Sequence, residues 1–210
     1  MATKKADDAS SNKSKGVVTV TCTLKSIGNG MLQNPMTDDT LKDLLTGTRR
    51  QVDKTLSPEK IAEGRVMKNP KSGKPGIKIE YLTGCLAEAG RKVKNGKSQI
   101  STATSTTIWG IIDFGDVSFL DFSKAGKWEA DMRKGNLKNG PSSVAVAIVR
   151  PLFKQWEIKL SFTVDENECD ATVVKELFTV AGKQVGIGDF RPAKKGPFGR
   201  FEVVDWKIEK

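Results

Sequence analysis

The chain has 210 residues, enough to bury a sizeable core in one elaborated domain or two small ones. Its 35 lysines and arginines exceed its 25 aspartates and glutamates, and the net charge of +10 favours an anionic partner such as nucleic acid without specifying a fold. The sequence contains no histidine, which excludes Ser-His-Asp and Cys-His triads, histidine acid–base chemistry and most zinc sites.

The first part of the chain predicts a tail, a strand and two short helices. Residues 1–15 are rich in Ser, Asp, Asn, Ala and Lys, a composition typical of a disordered polar tail. Residues 16–27 alternate apolar side chains with threonines, which predicts a strand with one buried face. Short helices are predicted over residues 37–45 and 57–64, the second because a serine cap and a proline open it.

Positive charge is concentrated in residues 48–97, which hold thirteen basic and five acidic residues. Within them, residues 65–76 are rich in Asn, Pro, Ser, Gly and Lys and predict no regular element. Two interpretations stay open: a mobile hairpin kept soluble by lysine, or an arm that lies along a phosphate backbone. In the second interpretation the phosphate contacts are Arg49, Arg50, Lys68, Lys71 and Lys74.

The rest of the chain alternates helical and strand patterns. An apolar stripe at helical spacing and runs of period two predict, in chain order, a helix (77–93), a β-rich segment (99–114), a short strand (117–122), an inserted polar loop (123–140), two strands (144–149 and 157–164), a helix capped by Asp170 or Thr172, and a closing strand (201–208).

A glycine-rich, basic loop, residues 184–202, joins the last helix to the last strand and reads Q-V-G-I-G-D-F-R-P-A-K-K-G-P-F-G-R-F-E. Glycine permits a close approach of the backbone, and freed N–H groups beside cations suit phosphate oxygens. The alternative is a helix cap followed by a solvated basic loop, with Arg191 paired to Asp189 or Asp205. The candidate contacts in this loop are Gly186, Gly188, Arg191, Lys194, Lys195, Gly196, Gly199 and Arg200.

Without its insertions the element order is βαββαβ, the ferredoxin-like unit. The G-x-G…G-x-G-R-F pattern, carried by Gly186, Gly188, Gly196, Gly199, Arg200 and Phe201, resembles the glycine-rich loop of the RAMP superfamily of CRISPR-associated RNA-binding proteins. The insertions, at about 28–76 and 115–142, resemble those of backbone subunits that line up along a guide RNA. Three segments taken together, R-P-L-F-K-Q-W from Arg150, V-G-I-G-D-F-R-P from Val185 and G-P-F-G-R-F from Gly196, also resemble an uncharacterised phage or mobile-element family.

The resemblance implies an α+β, elaborated ferredoxin-like domain over residues 16–210 and a cytoplasmic RNA-binding role in a bacterial or phage-infected cell. Because the superfamily's processing nucleases use histidine, it also implies a non-catalytic protein. The first hypothesis is therefore a binder of RNA or single-stranded DNA that assembles along the strand with further copies or other subunits, without cofactor, metal or membrane.

Two alternatives belong to other classes. One is a phage structural, adaptor or anti-defence protein that binds another protein through exposed aromatic side chains. The other is a metal-dependent nuclease that uses Asp113, Asp116 and Asp121, although these aspartates match no known ligand spacing.

Three widely separated cysteines predict no disulfide framework, which favours a reducing compartment. No apolar run approaches the roughly 18 residues of a membrane span.

Overall fold

A computed structural model describes residues 16–36, 38–47, 55–139 and 142–209. Its central sheet is antiparallel and contains β1 (Val17–Ser26), β6 (Ile112–Asp113), β8 (Lys124–Ala125), β11 (Trp156–Asp165) and β12 (Phe201–Glu209). The strands lie in the order β12, β1, β11, β6, and β8 also pairs with β11. The longest pairing within this sheet joins β1 to β11, with Val17 opposite Asp165 and Lys25 opposite Glu157.

The core lies between this sheet and two helices, α3 (Ile79–Gly90) and α5 (Ala171–Val180). Alternate side chains of β1 are buried, as its pattern of apolar residues and threonines predicts. The ring of Phe162 on β11 stacks on Phe178 of α5, with centroids 5.1 Å apart and planes 7° from parallel. This stacking packs α5 against the sheet, and the buried side chains of α3 belong to the same hydrophobic core.

A second sheet is built on a long hairpin. It contains β2 (Met31–Leu32), β9 (Glu129–Asn139) and β10 (Ser142–Phe153) in the order β2, β10, β9. Helix α2 (Pro58–Glu63) packs against β9 and β10, and the Ser57 hydroxyl caps it by accepting from the Lys60 amide. The short β2 therefore joins the first strand of the central sheet to the base of the hairpin.

The smaller elements complete the description. They are helix α1 (Asp38–Thr46), helix α4 (Ile108–Ile111), the pair β3 (Gly76–Lys78) with β7 (Phe119–Asp121), the pair β4 (Lys94–Asn95) with β5 (Ser98–Gln99), a π-helical turn (Ala181–Val185) and a 3₁₀ turn (Pro192–Lys194). None of the helices in the described part of the chain is long and apolar enough to cross a bilayer.

The predicted α+β class is confirmed, and so are most of the predicted strands and helices. Two segments are corrected. Residues 99–114 were expected to be β-rich, but α4 interrupts them, because hydroxyls compete for the local backbone. Thr102 Oγ1 accepts from the amides of Thr104 and Ser105, and Thr106 Oγ1 accepts from the amide of Ile108.

The second correction concerns residues 123–140, expected to form an inserted loop. Most of this segment is β9, which pairs with β10 from Glu129 opposite Leu152 to Asn139 opposite Ser142. The sequence of β9 is polar and lacks the alternation of apolar and polar residues that a strand with one buried face shows. The reason is that most of the described side chains of β9 are exposed or half-buried, so no face of the strand is packed on the core. The strand forms because β10 supplies its hydrogen bonds. The predicted tail, residues 1–15, lies outside the described residues, and the predicted domain bounds stay predictions.

Candidate nucleic-acid interface

The loop between the π-helical turn and β12 is held by close contacts between backbone groups. The Gly199 amide donates to the Gly30 carbonyl at 2.6 Å, the Ile187 amide to the Gly199 carbonyl at 2.8 Å, and the Asp189 amide to the Leu32 carbonyl at 2.8 Å. Gly199 has φ of 75°, and a Cβ there would lie 1.8 Å from the Ile187 oxygen. Glycine is needed at this position for close packing as well as for its positive φ.

This packing corrects the expected role of the glycine amides. The sequence predicted that they face a phosphate, but three of the four donate inside the protein. The Gly186 amide donates to the Ala181 carbonyl at 2.8 Å and the Gly196 amide to the Arg191 carbonyl at 3.0 Å, while Gly199 binds Gly30 as above. These three N–H groups are unavailable to a ligand, and Gly186, Gly188 and Gly199 are buried.

The loop exposes three cations. Lys194, Lys195 and Arg200 are exposed, and none of them forms an ion pair with any described carboxylate. Lys195 follows the 3₁₀ turn as its C-cap and adopts a left-handed conformation with φ of 60°. Their charges are therefore free to meet a polyanion, in the place where the sequence predicts a phosphate contact.

Arg191 is held by the protein. Its Nη2 lies 3.4 Å from Glu88 Oε2 of α3, and its Nη1 donates to the Gly188 carbonyl at 3.2 Å. The sequence offered Asp189 and Asp205 as partners, but the observed carboxylate is Glu88, which is 103 residues away in the chain. A phosphate contact by Arg191 stays a prediction, and it would have to form beside this ion pair.

The lysine-rich segment is an ordered turn in the structure. Its ends meet at an isolated bridge between Lys68 and Pro75. Asp121 anchors it, accepting from Asn69 Nδ2 at 2.6 Å and from the Ser72 hydroxyl at 2.8 Å. The lysine turn, residues 68–75, thus presents three exposed lysines without an ion pair in the described structure, namely Lys68, Lys71 and Lys74.

A buried glutamine ties the lysine turn and the glycine-rich loop to one segment. Gln33 Nε2 donates to the Gly76 carbonyl at 2.8 Å, and its Oε1 accepts from the Met67 amide at 2.8 Å. Leu32, the residue before it, accepts from the Asp189 amide of the loop. No local pattern in the sequence signals this role, since a single glutamine in a polar stretch is unremarkable without knowledge of its burial.

The described acidic residues do not assemble a metal site. Asp113 accepts from the Gly115 amide at 2.7 Å, a local turn, while Asp121 anchors the lysine turn. No group of three or more His, Cys, Asp or Glu side chains suited to a metal ion occurs in the described ranges. Arg49 and Arg50, the other predicted contacts, lie outside the described residues.

Comparisons with known proteins identify the fold and no family. No protein-family model matches the sequence, and no curated protein matches it. The structure is similar to a chain in the cryo-EM structure of the Type III-B Cmr-beta complex bound to cognate target RNA, with a TM-score of 0.56 and 10% sequence identity. The alignment covers 93% of this chain and 61% of that chain. At this identity the likeness concerns the fold alone.

Proposed function

We propose that this protein is a non-catalytic binder of RNA, or of another single-stranded nucleic acid, that contacts the phosphate backbone. The observation that carries the proposal is a set of six exposed cations without an ion pair in the described structure: Lys68, Lys71, Lys74, Lys194, Lys195 and Arg200. Lysine and arginine side chains that neutralise phosphates release counterions, which drives binding independently of base sequence.

The fold supports RNA as the ligand. The strand order β12, β1, β11, β6, with α3 and α5 packed on the sheet, is the order expected for a ferredoxin-like βαββαβ unit with insertions. We therefore propose an elaborated ferredoxin-like domain related to the RAMP superfamily. The similar chain belongs to a complex bound to target RNA, and by analogy this protein would act with further copies or other subunits along an RNA strand.

A salt titration tests the proposal. Binding of a fluorescent single-stranded RNA, and of the same sequence as DNA, is measured by anisotropy between 50 and 200 mM potassium chloride. Affinity should fall steeply with salt, and a preference for RNA would identify contacts to the 2′-hydroxyl. Absent binding at 50 mM, or binding indifferent to salt, would refute the proposal. A parallel incubation with labelled RNA and Mg²⁺ or Mn²⁺ tests the non-catalytic assignment, which cleavage would overturn.

A second function, association with another protein, is favoured by α1. This helix exposes Leu41, Leu44 and Leu45 at 45%, 64% and 88% of their surface. Their i, i+3, i+4 spacing makes one apolar face. The helix contains three aspartates, Asp38, Asp39 and Asp43, and one lysine, Lys42, so it is acidic, whereas the whole chain has a net charge of +10. Opposite charges therefore favour a second, basic copy of this chain as the partner of α1. Light scattering at increasing concentration tests this, and a monomer throughout would exclude self-association.

A further inference from the structure

Arg65 is an exception among the arginines of the described structure. Others either pair with a carboxylate or are exposed. The ion pairs are Arg133 with Asp131 at 2.8 Å, Arg150 with Asp189 at 2.7 Å, and Arg191 with Glu88 at 3.4 Å. Arg91 and Arg200 have no such pair but are exposed. Arg65 is half-buried, and the one hydrogen bond of its side chain within the described residues runs from Nη1 to the Val149 carbonyl at 2.7 Å.

A second guanidinium lies beside Arg65. The carbonyl that Arg65 binds belongs to the residue before Arg150, whose side chain is 7% exposed and whose Nε has no hydrogen-bond partner in the described structure. Burial lowers the pKa of Arg65, and the positive charge of Arg150 lowers it further, while Asp189 partly offsets both. Two guanidinium groups therefore share one nearby carboxylate.

Asp189 cannot neutralise both groups. Its Oδ2 already accepts from Arg150 Nη1 at 2.7 Å and from Asn34 Nδ2 at 3.2 Å, and its Oδ1 accepts from the Phe190 amide at 2.8 Å. A cation that is removed from water without a counterion is unfavourable, so the site has room for one more negative charge.

The neighbouring segments indicate what carries that charge. Arg65 leads through Met67 to the lysine turn, and Asp189 opens the half of the loop that holds Lys194 and Lys195. Both adjacent segments present exposed cations, which a single carboxylate would not use but a chain of phosphates would. The planar fork of a guanidinium also matches phosphate oxygens in pairs.

We infer that Arg65, supported by Arg150, forms a binding site for one phosphate group, placed between the lysine turn and the glycine-rich loop. In the bound state the half-exposed Arg65 donates to the phosphate oxygens, while Arg150 stays on Asp189 and contributes its positive field. The inference deepens the proposed function and relies on it for one point only, that the phosphate is a phosphodiester of bound nucleic acid. Inorganic phosphate is the other source of the same chemistry.

The experiment has two arms and three variants. Arg65→Gln removes the charge, Arg65→Lys keeps the charge without the planar fork, and Lys175→Gln removes one charge from an exposed position of α5 as the matched control. The first arm measures the melting temperature of each protein in potassium phosphate and in potassium chloride of equal ionic strength at pH 7. The second arm measures the affinity for single-stranded RNA and its dependence on salt.

The expected results separate the site from the function. Phosphate should stabilise the wild type and the control but not Arg65→Gln. RNA affinity should fall about tenfold in Arg65→Gln, and the slope of log affinity against log salt should be smaller by about 0.7. In Arg65→Lys the affinity should fall by less. Equal behaviour of Arg65→Gln and Lys175→Gln in both arms would overturn the inference. Phosphate stabilisation that depends on Arg65, without any RNA binding, would support the site and refute the proposed function.

A measurement on the wild type covers the case in which Arg65→Gln does not fold. The Nε–Hε resonance of Arg65, assigned by its loss in Arg65→Lys, is followed by nuclear magnetic resonance while phosphate is added. A saturable shift at Arg65 that exceeds the shift at the exposed Arg91 supports the site. An unmoved Arg65 resonance contradicts it.

Discussion

Replacing the three exposed cations of the glycine-rich loop should change the salt dependence of nucleic-acid binding by a defined amount. The triple variant Lys194→Gln, Lys195→Gln, Arg200→Gln removes half of the six exposed cations that we propose as phosphate contacts. For single strands, each neutralised phosphate contributes about 0.7 to the slope of log affinity against log salt. The six exposed cations, counted without Arg65, contribute about −4 to the wild-type slope, of which the triple variant retains about −2.

These slopes correspond to large differences in affinity. Between 50 and 200 mM salt the wild type should lose about 300-fold in affinity and the triple variant ~20-fold. Anisotropy titrations of a labelled single-stranded RNA at four salt concentrations measure both. The side chains are exposed and make no ion pair in the described structure, so the melting temperature should stay close to that of the wild type.

The matched control removes the same net charge elsewhere. Lys159, Lys175 and Lys207 are exposed on β11, α5 and β12 and belong to neither cationic segment of the proposed interface. Their replacement by glutamine should leave the slope near −4, because a diffuse loss of charge removes no phosphate contact. Equal slopes for the two triple variants would show that the loop cations make no special contact and would refute the reasoning.

Three further predictions concern packing, ionisation and association. Gly199→Ala places a Cβ 1.8 Å from the Ile187 oxygen, so it should lower the free energy of unfolding by about 2 kcal/mol or more. The control Gly96→Ala also has a positive φ but open space around the new Cβ, so it should lower the free energy of unfolding by only about 1 kcal/mol. Urea denaturation measures both values, and similar losses in the two variants would contradict this prediction. Burial raises the pKa of Cys22 from 9.0 to about 12, so the contribution of the neutral thiol is complete below pH 9 and lost as pH rises towards 12. The free energy of unfolding should therefore decline with pH more steeply than in Cys22→Ala, by at most about 1.4 kcal/mol per unit above pH 9, and parallel profiles would count against it. Leu45, 88% exposed on α1, should support self-association, so Leu45→Glu should give a monomer in light scattering at an unchanged melting temperature; an unchanged assembly would exclude this face.

Local patterns in the sequence identified most of the elements that frame the interface. The alternation of apolar residues predicts β1, and the Ser57 cap predicts α2. Helix α5 is capped by Asp170, one of the two caps that the sequence predicts, and the Asp170 side chain accepts from the Thr172 amide. Each of these depends on residues within a few positions of one another. The exposure of Lys194 and Lys195 is of the same kind, because lysine in a polar turn is rarely buried.

The amino-acid sequence by itself determined the charge of the chain, the patterns that predict its helices and strands, and the positions of its cations. Tertiary structure decided what those patterns could not contain: that the amides of Gly186, Gly196 and Gly199 are occupied, and that Asp189 binds Arg150, leaving Arg65 without a carboxylate. The reason is that burial and hydrogen bonding depend on segments far apart in the chain. Asn34 and Asp189 meet across 155 residues, and no local pattern records that distance.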